Sequence, residues 1–327
     1  MRGWRLNLVS GVVGLWICFL PLPRPWFAQN VSGPTLAETS QQSAVPVSDN
    51  NPETIMRELA RQKRWKEEAG FAHDVTLKSP SDATAWYWLG VARLQLQDGL
   101  GAVQAFRSAE KLGMDTTLLH EGLGLAYYNL DQFYLFEQQM GKASKEDPLD
   151  ARPYFYLGRY REVARGDCAG ALELYKQAVR LGPDDPQSVF HEGNCLEVLQ
   201  RREQARECYT EAIRLVEKSN QAYAGPYLGM ARLLLETNPP EALRWAQKAV
   251  EVEPKEYTNH LLLAKVLRQL GKLPEALREA QTAAELNPTS STVRYTLFKL
   301  YREAGDPKAA QRELETFQKL KTIYGPE

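Results

Sequence analysis

Apolar side chains recur every three or four positions through most of this chain, in segments that short polar turns separate. This spacing places the apolar residues on one face of a helix. In "AWYWLGVARLQ", residues 85–95, three aromatic residues precede Gly90, which lies inside an otherwise helical pattern. The pattern predicts a succession of short amphipathic helices and raises the question whether this segment is unique or repeated.

The segment is repeated, because glycine returns at nearly constant spacing. The in-phase positions are Gly90, Gly124, Gly158, Gly193, Gly229, Ala264 and Phe298, with steps of 34, 34, 35, 36, 35 and 34 residues. A second series, represented by "GAVQAFRSAEKLG" and "GALELYKQAVRLGP", places a small residue, then an aromatic or small residue four later, and usually Ala three after that. Four units end in proline: Pro148, Pro183, Pro254 and Pro288. The chain is therefore predicted to repeat a hairpin of two helices.

This pattern resembles the tetratricopeptide repeat, which carries an aromatic residue, Leu and Gly on its first helix and Ala, an aromatic and Ala on its second. The best matches are residues 83–116, through Trp86, Leu89, Gly90, Ala102, Phe106 and Ala109, and residues 151–185, through Tyr154, Leu157, Gly158, Ala171, Tyr175, Ala178 and Pro183. The resemblance implies an all-α superhelix, a solenoid of antiparallel helix hairpins in which each unit needs its neighbours.

The repeats divide most of the chain. Residues 52–82 resemble a degenerate N-terminal repeat, residues 325–327 form a tail, and seven units lie at 83–116, 117–150, 151–185, 186–221, 222–256, 257–290 and 291–324. The last unit carries Phe298 where glycine belongs and has a strongly charged second helix. Such a helix suits a terminal repeat, whose outer face is not covered.

The N-terminus predicts export. Arg2 and Arg5 precede the apolar run "LVSGVVGLWICFLPLP", which is as long as a signal-peptide core and shorter than a comfortable membrane span. Residues 1–28 are therefore interpreted as a signal peptide, with cleavage after Ala28, or as an uncleaved anchor. Residues 29–51, rich in Ser, Gln, Pro and Asn, are interpreted as a disordered linker. The expected location is the periplasm, the cell envelope or the exterior.

Charge and cysteine content narrow the function classes. The 40 Lys and Arg residues balance the 41 Asp and Glu residues. No strong global field therefore favours nucleic acid or an anionic membrane surface. The four cysteines form no CxxC pair, and no histidine stands at zinc-ligand spacing from them. We expect no metal and no cofactor.

In this family the first helices line a concave groove, and the equivalent positions here are rich in aromatic residues and become basic toward the C-terminus. Aromatic residues and arginine often anchor partners at interfaces. The alternative is that many of these rings pack only between adjacent first helices, and we expect about half of them to be mainly structural. The candidate groove residues are Tyr87, Trp88, Tyr128, Phe155, Tyr156, Arg159, Phe190, His191, Asn194, Tyr223, Tyr227, Lys265 and Arg268. The structural signature is assigned to Trp86, Gly90, Gly124, Gly158, Gly193 and Gly229. The cationic positions are too scattered to match the carboxylate clamp known in the family.

Catalytic motifs are incomplete. "HEGN" at His191 has Cys195 where a zinc-protease helix needs its second histidine, and "GLGLAY" has Tyr127 in place of the third glycine of a dinucleotide loop. His120 and His260 replace the signature aromatic and are interpreted as packed rings. Cys195 and Cys208 share one repeat, and buried free thiols are favoured over a disulfide. Cys168 lies in a one-residue insertion between helices, the segment "RGDCAG", and is expected to be more exposed.

Three functions remain open. The favoured one is a non-enzymatic scaffold whose groove binds a peptide or protein segment. The alternative is a structural subunit of an envelope secretion, pilus or polymer-export assembly. An enzyme is the least favoured reading, because function must be argued from a site and none is visible.

Overall fold

The computed structural model describes residues 51–324, which form sixteen α-helices and one π-helical turn without any strand. In chain order the α-helices are α1 Pro52–Arg61, α2 Trp65–Lys78, α3 Ala83–Gln95, α4 Gly99–Lys111, α5 Thr117–Asn129, α6 Phe133–Glu146, α7 Arg152–Arg159, α8 Cys168–Leu181, α9 Pro186–Val198, α10 Arg202–Ser219, α11 Gly225–Leu234, α12 Pro239–Val252, α13 Tyr257–Gln269, α14 Leu273–Leu286, α15 Ser291–Glu303 and α16 Pro307–Tyr324. The predicted all-α fold is confirmed. The signal peptide or anchor at 1–28, the linker up to residue 50 and the tail at 325–327 lie outside the described residues.

Helix starts are encoded by short polar side chains. Asp82 caps α3 by accepting the N–H of Ala85, and Ser290 caps α15 by accepting the N–H of Val293. Asn51, Asp98, Thr116, Asp167, Asp185 and Asn238 act in the same way at other helices. Each such side chain satisfies a backbone donor that the first turn leaves unpaired. Together these caps fix where the helices begin.

The turn inside most hairpins contains one residue with positive φ. Gly271 (φ +73°) and Gly305 (φ +75°) occupy it in the last two repeats, where glycine avoids the clash that a Cβ causes in this conformation. Elsewhere the left-handed residue is Lys63, Gln97, Asp131, Gly166 or Gln200. The same turn recurs in successive units, so the second helix returns antiparallel to the first each time.

Successive hairpins stack so that their first helices lie closer together than their second helices. The first helices α3, α9, α11 and α13 each contact the first helix of the following repeat, and each second helix also packs on that following helix. Among residues 51–324, no two successive second helices make comparable contacts. The first helices therefore form the inner, concave row, and the second helices lie outside. No helix in this part of the chain has the length and apolarity needed to cross a membrane.

Buried aromatic rings explain the recurring glycines. A Cβ on Gly90 would lie 2.6 Å from the Phe106 ring, and one on Gly158 would lie 2.8 Å from the Tyr175 ring. Tyr209 contacts two glycines in this way, Gly193 on its own first helix and Gly229 on the next one, each with a hypothetical Cβ at 2.7 Å. One ring thus fills the space within a hairpin and between two hairpins, which requires that the first helices lack side chains there.

The 35-residue unit 151–185 absorbs its extra residue in a π-helical turn at Tyr160–Ala164, directly after α7. The sequence had suggested an insertion in the segment "RGDCAG" between the helices. A π turn accepts one additional residue without ending the helix. Cys168, expected to be exposed there, is instead buried at the start of α8.

Glu68 is an exception in the seam of the N-terminal hairpin. It is the fourth residue of α2, and the fourth residues of α4, α10 and α14 are the buried alanines Ala102, Ala205 and Ala276. Glu68 is fully buried, and neither carboxylate oxygen has a hydrogen-bond partner. Burial raises the pKa of Glu68 to about 8.

We expect Gly158→Ala to destabilise the protein by about 1 to 3 kcal/mol, because the added methyl group overpacks against a fully buried tyrosine. The matched control is Gly141→Ala. Gly141 also lies inside a helix, but a Cβ there has no neighbour within 4 Å. The control should be stabilising by about 0.5 to 1 kcal/mol through helix propensity. Urea unfolding of both variants checks this; equal effects would contradict the assigned packing.

Glu68 should make stability depend on pH. Its pKa is higher in the folded chain than in the unfolded one, so stability falls as pH rises from about 4.5 toward 8. We expect Glu68→Gln to remove this part of the pH slope and to stabilise the protein relative to wild type at pH 8. Thermal melts at several pH values measure it. Glu67→Gln is the control, because Glu67 is exposed and Arg64 holds its pKa low, outside the window; an unchanged slope in Glu68→Gln would count against the buried acid.

Candidate functional site

The inner row formed by the first helices is the candidate interaction surface. Its predicted members fall into three groups by exposure. Trp88, Phe155, Tyr156, Arg159, Phe190, His191 and Tyr227 are buried; Tyr87, Tyr128, Asn194 and Tyr223 are half-buried; Lys265 and Arg268 are exposed. The surface open to a partner is therefore smaller and more polar than the sequence pattern suggested.

The central rings are buried because they pack against the next repeat or against the second helix of their own hairpin. Phe155 on α7 contacts the ring of His191 on α9, with 5.9 Å between centroids. Phe190 in turn meets Tyr223, in the following repeat, edge to face at 5.7 Å. Tyr227 stacks on Trp245 of its own hairpin at 6.1 Å. These rings hold the stack together, so in this structure they offer little area to a partner.

A buried polar network joins the third and fourth repeats. Arg159 donates hydrogen bonds of 3.0 Å to Glu162 and to Nδ1 of His191, and the Tyr175 hydroxyl donates one of 2.5 Å to Glu162. Burial opposes ionisation of Glu162, but these partners lower its pKa to about 2. Burial, with the adjacent guanidinium, lowers the pKa of His191. The π turn supplies Glu162, so the insertion places the carboxylate that pairs with Arg159.

The second and third repeats share another charged contact. Arg152 at the start of α7 lies 3.4 Å from Glu121 on α5 and pairs with Asp150 at 2.5 Å. Burial raises the pKa of Glu121 to about 8, although Arg152 acts in the opposite direction. Tyr87 lies near this group, and its pKa is raised mainly by burial. Tyr128 packs separately, edge to face against Phe133 at 5.5 Å.

Toward the C-terminus the ion pairs become more exposed. Arg232 on α11 donates hydrogen bonds to Glu197 (2.7 Å) and Asn194 (2.8 Å) on α9. Arg268 on α13 donates one of 2.5 Å to Glu303 on α15. Both arginines are exposed, yet both are paired across a repeat boundary. Sequence periodicity identified Asn194 and Arg268 but missed Glu197, Arg232 and Glu303, since the pairing depends on which turns of adjacent helices face each other.

Lys265 and Lys299 are also exposed on these last two first helices. Lys299 lies over the Tyr295 ring, 4.4 Å from its centroid, and Arg302 lies over Phe298 at 5.4 Å. The first helices α13 and α15 together carry five cationic residues and a single acidic one, Glu303. Arg294 pairs with Glu313 on the second helix α16, and the other four cations give this end of the inner row an excess of positive charge.

The signature residues occupy structural positions. Trp86 is half-buried, and its indole N–H donates a 2.9 Å hydrogen bond to the Pro80 carbonyl in the preceding loop. The five signature glycines each lie where a Cβ would meet a side chain of a second helix at 2.6 to 2.8 Å. For Gly124 the atom is Cε of Met140, a methionine replacing the usual ring.

The two histidines at the signature aromatic position connect the first and second helices of their hairpins by hydrogen bonds. His120 Nδ1 lies 2.8 Å from Gln139, and His260 Nδ1 lies 2.7 Å from Glu279, in both cases a residue nineteen positions later on the second helix. The sequence predicted packed rings at both positions, and both are buried. Their polar partners could not be read from a hydrophobic pattern.

The described cysteines, Cys168, Cys195 and Cys208, are free thiols. Interaction with the Cys168 thiol of the preceding repeat, together with burial, raises the pKa of Cys195. Burial raises the pKa of Cys208 to about 12. At neutral pH both thiols are protonated, and Cys195 behaves as a small buried group while Cys208 is half-buried.

Comparison with protein families gives repeated matches over more than half of the chain. Two models, both described as tetratricopeptide repeat, match residues 267–319 and residues 59–115, 137–186, 160–223 and 228–291. A search of curated proteins finds no matching sequence.

Among solved structures, the APC/C hetero-tetramer Cut9–Hcn1 is similar with a TM-score of 0.66 and 14% identity, covering 76% of this chain and 48% of that chain. Yeast Tom70 gives 0.61 and 15%, covering 86% and 63%. Pseudomonas aeruginosa pilF gives 0.54 and 17%, covering 64% and 93%. This chain thus spans about half of the first structure and less than two thirds of the second, and the likeness concerns the fold.

Proposed function

This chain belongs to the tetratricopeptide repeat family, a family of protein interaction scaffolds, and we propose that it binds an acidic, extended segment of a partner protein along the inner row of its last two repeats. The observation that supports this most directly is the exposed cationic surface of α13 and α15. Lys265 and Arg268 lie one turn apart on α13, and Lys299 and Arg302 lie one turn apart on α15.

The chemistry of this surface favours a segment with carboxylates and some apolar side chains. Glu303 neutralises part of the cationic charge through Arg268. Tyr295 is exposed, Phe298 is half-buried, and each has a cation over its ring. A partner carboxylate can pair with the cation while a neighbouring apolar side chain packs on the ring. Exposed charges of this kind raise association rates and give salt-dependent binding.

The scaffold role needs no chemistry at the site, which agrees with the contacts made by the candidate catalytic groups. Glu162 and His191 are both engaged with Arg159, and Glu162 also accepts from Tyr175. The groups with shifted pKa values thus hold neighbouring repeats together. We therefore propose a non-enzymatic scaffold, with a structural subunit of an envelope secretion, pilus or polymer-export assembly as the alternative.

Charge reversal tests the binding proposal. A fluorescent peptide with alternating Asp and Leu residues should bind full-length protein, and Lys265→Glu combined with Lys299→Glu should weaken it about tenfold or more, since each lost charged contact contributes on the order of 1 kcal/mol. Fluorescence anisotropy at two salt concentrations measures the affinity. These exposed lysines are better probes than Tyr156 and Phe190, whose burial makes alanine substitutions destabilising.

The matched control reverses two exposed lysines on second helices, Lys176→Glu with Lys248→Glu. It changes net charge equally and should reduce affinity only slightly. Equal losses in both double variants would show non-specific attraction and count against the inner row. If the inner-row variant binds normally but a native envelope assembly fails to form with the second-helix variant, the structural-subunit alternative is favoured.

We further propose that the chain is exported through residues 1–28, because two arginines precede an apolar run there. Full-length protein expressed in a Gram-negative host should fractionate with the periplasm or the membranes. Mass analysis of its N-terminus then separates a cleaved signal, beginning at Gln29, from a retained anchor. A control lacking residues 2–20 should stay in the cytosol. Cytosolic full-length protein would contradict export.

A further inference from the structure

His120, Asp115 and Glu146 converge at the boundary of the first two units. Asp115 lies in the loop before α5, His120 lies in the first turns of α5, and Glu146 is the last residue of α6. Nε2 of His120 is 2.8 Å from Asp115 Oδ1 and 3.2 Å from Glu146 Oε1. One atom from each residue lies within 4.8 Å of the others.

The charges in this cluster do not balance. The imidazole is buried, and both of its nitrogens face oxygen atoms, since Nδ1 lies 2.8 Å from Gln139 Oε1. A single N–H at Nε2 cannot donate a well-aligned hydrogen bond to two carboxylates at once. Neither Asp115 nor Glu146 pairs with a lysine or arginine of residues 51–324. The C-terminal end of α6, where Glu146 lies, adds partial negative charge. The cluster therefore favours a cation beside Nε2.

His260, at the same position of the sixth unit, provides a comparison, because each of its ring nitrogens has one oxygen partner. Its Nδ1 faces one carboxylate, Glu279, at 2.7 Å, and its Nε2 donates to the Pro254 carbonyl at 2.9 Å. At His120 the backbone carbonyl is replaced by two carboxylates, so Nε2 faces two anionic oxygens instead of one neutral oxygen.

We propose that Asp115, His120 and Glu146 bind a divalent transition-metal ion, for which Zn²⁺ is the best match. One imidazole and two carboxylates, completed by water, form a tetrahedral donor set that zinc accepts. Zinc bonds of about 2.0 to 2.1 Å place neighbouring ligand atoms about 3.3 Å apart. Glu146 is already at that separation, and Asp115 must withdraw by about half an ångström, which its 74% exposed side chain permits.

The hydrogen bond from Nδ1 supports this assignment independently. A metal-bound histidine nearly always donates its other ring N–H to an oxygen that fixes its tautomer and orientation. Gln139 Oε1 fills that role, and Gln139 is itself buried. The bound ion would connect the loop between two units to the end of α6, and it would act separately from partner binding.

Zinc binding to the full-length protein tests the proposal. Calorimetric titration with ZnCl₂ at pH 7.5 should show one site per chain, and saturating Zn²⁺ should raise the melting temperature. Asp115→Asn and Glu146→Gln should each lower the zinc affinity about tenfold or more. Asp115 is largely exposed, so its substitution should change the metal-free melt little, and that melt, measured beside wild type, separates lost binding from lost folding.

His73→Asn provides the control, because His73 is exposed on α2 and outside the cluster. It should retain wild-type zinc binding. Zinc should also shift the NMR signals of the His120 ring and leave those of His260 in place. If no stoichiometric site is found, or if Asp115→Asn binds zinc like wild type, the three side chains form only hydrogen bonds with one another and the proposal is overturned. If His73→Asn loses the signal, the proposal is also overturned.

Discussion

The contact between a ring on one helix and a glycine on another governs the whole molecule. Tyr209 touches Gly193 and Gly229, and Phe106 touches Gly90 and Gly122, so a single side chain fills the space shared by three helices. No hairpin completes this contact alone. Because close packing tolerates neither a gap nor an added methyl group at such a site, the glycine spacing sets both the distance between helices and the direction in which the next hairpin is added. Every inner-row residue inherits its position from that arrangement.

Much of the fold was readable from the sequence for the same reason. Glycine, alanine and aromatic residues are restricted by local geometry, and their spacing identified the helix pairs. The burial of Phe155, Tyr156 and Phe190 could not be predicted individually. Periodicity shows which face of a helix a residue lies on, but not how much of that face the neighbouring helix covers. The ion pairs Glu197–Arg232 and Arg268–Glu303 were missed because they join residues 35 positions apart. The group around His120 was missed because its members carry no recognisable spacing.

Polar contacts between neighbouring first helices divide the inner row into two regions. In the middle, the buried Arg159 and His191 contact each other and the half-buried Glu162, so this region stiffens the stack. Nearer the C-terminus, Arg268 pairs with Glu303 and both side chains are exposed, whereas Arg232 pairs with the half-buried Glu197. Exposed pairs contribute little to stability and exchange readily with a competing carboxylate. A rigid centre next to an adaptable basic end suits a surface that accepts segments of varied sequence, with orientation set by charge.

The π turn at Tyr160–Ala164 shows how such an array accommodates a change in length. The additional residue is taken up within one first helix, and the rings of the flanking hairpins keep their glycine partners. An inserted residue therefore does not propagate along the stack, and it brought a new side chain, Glu162, into the interior. In repeat arrays of this kind, single-residue insertions can serve as a local source of chemical variety while the curvature of the whole is preserved.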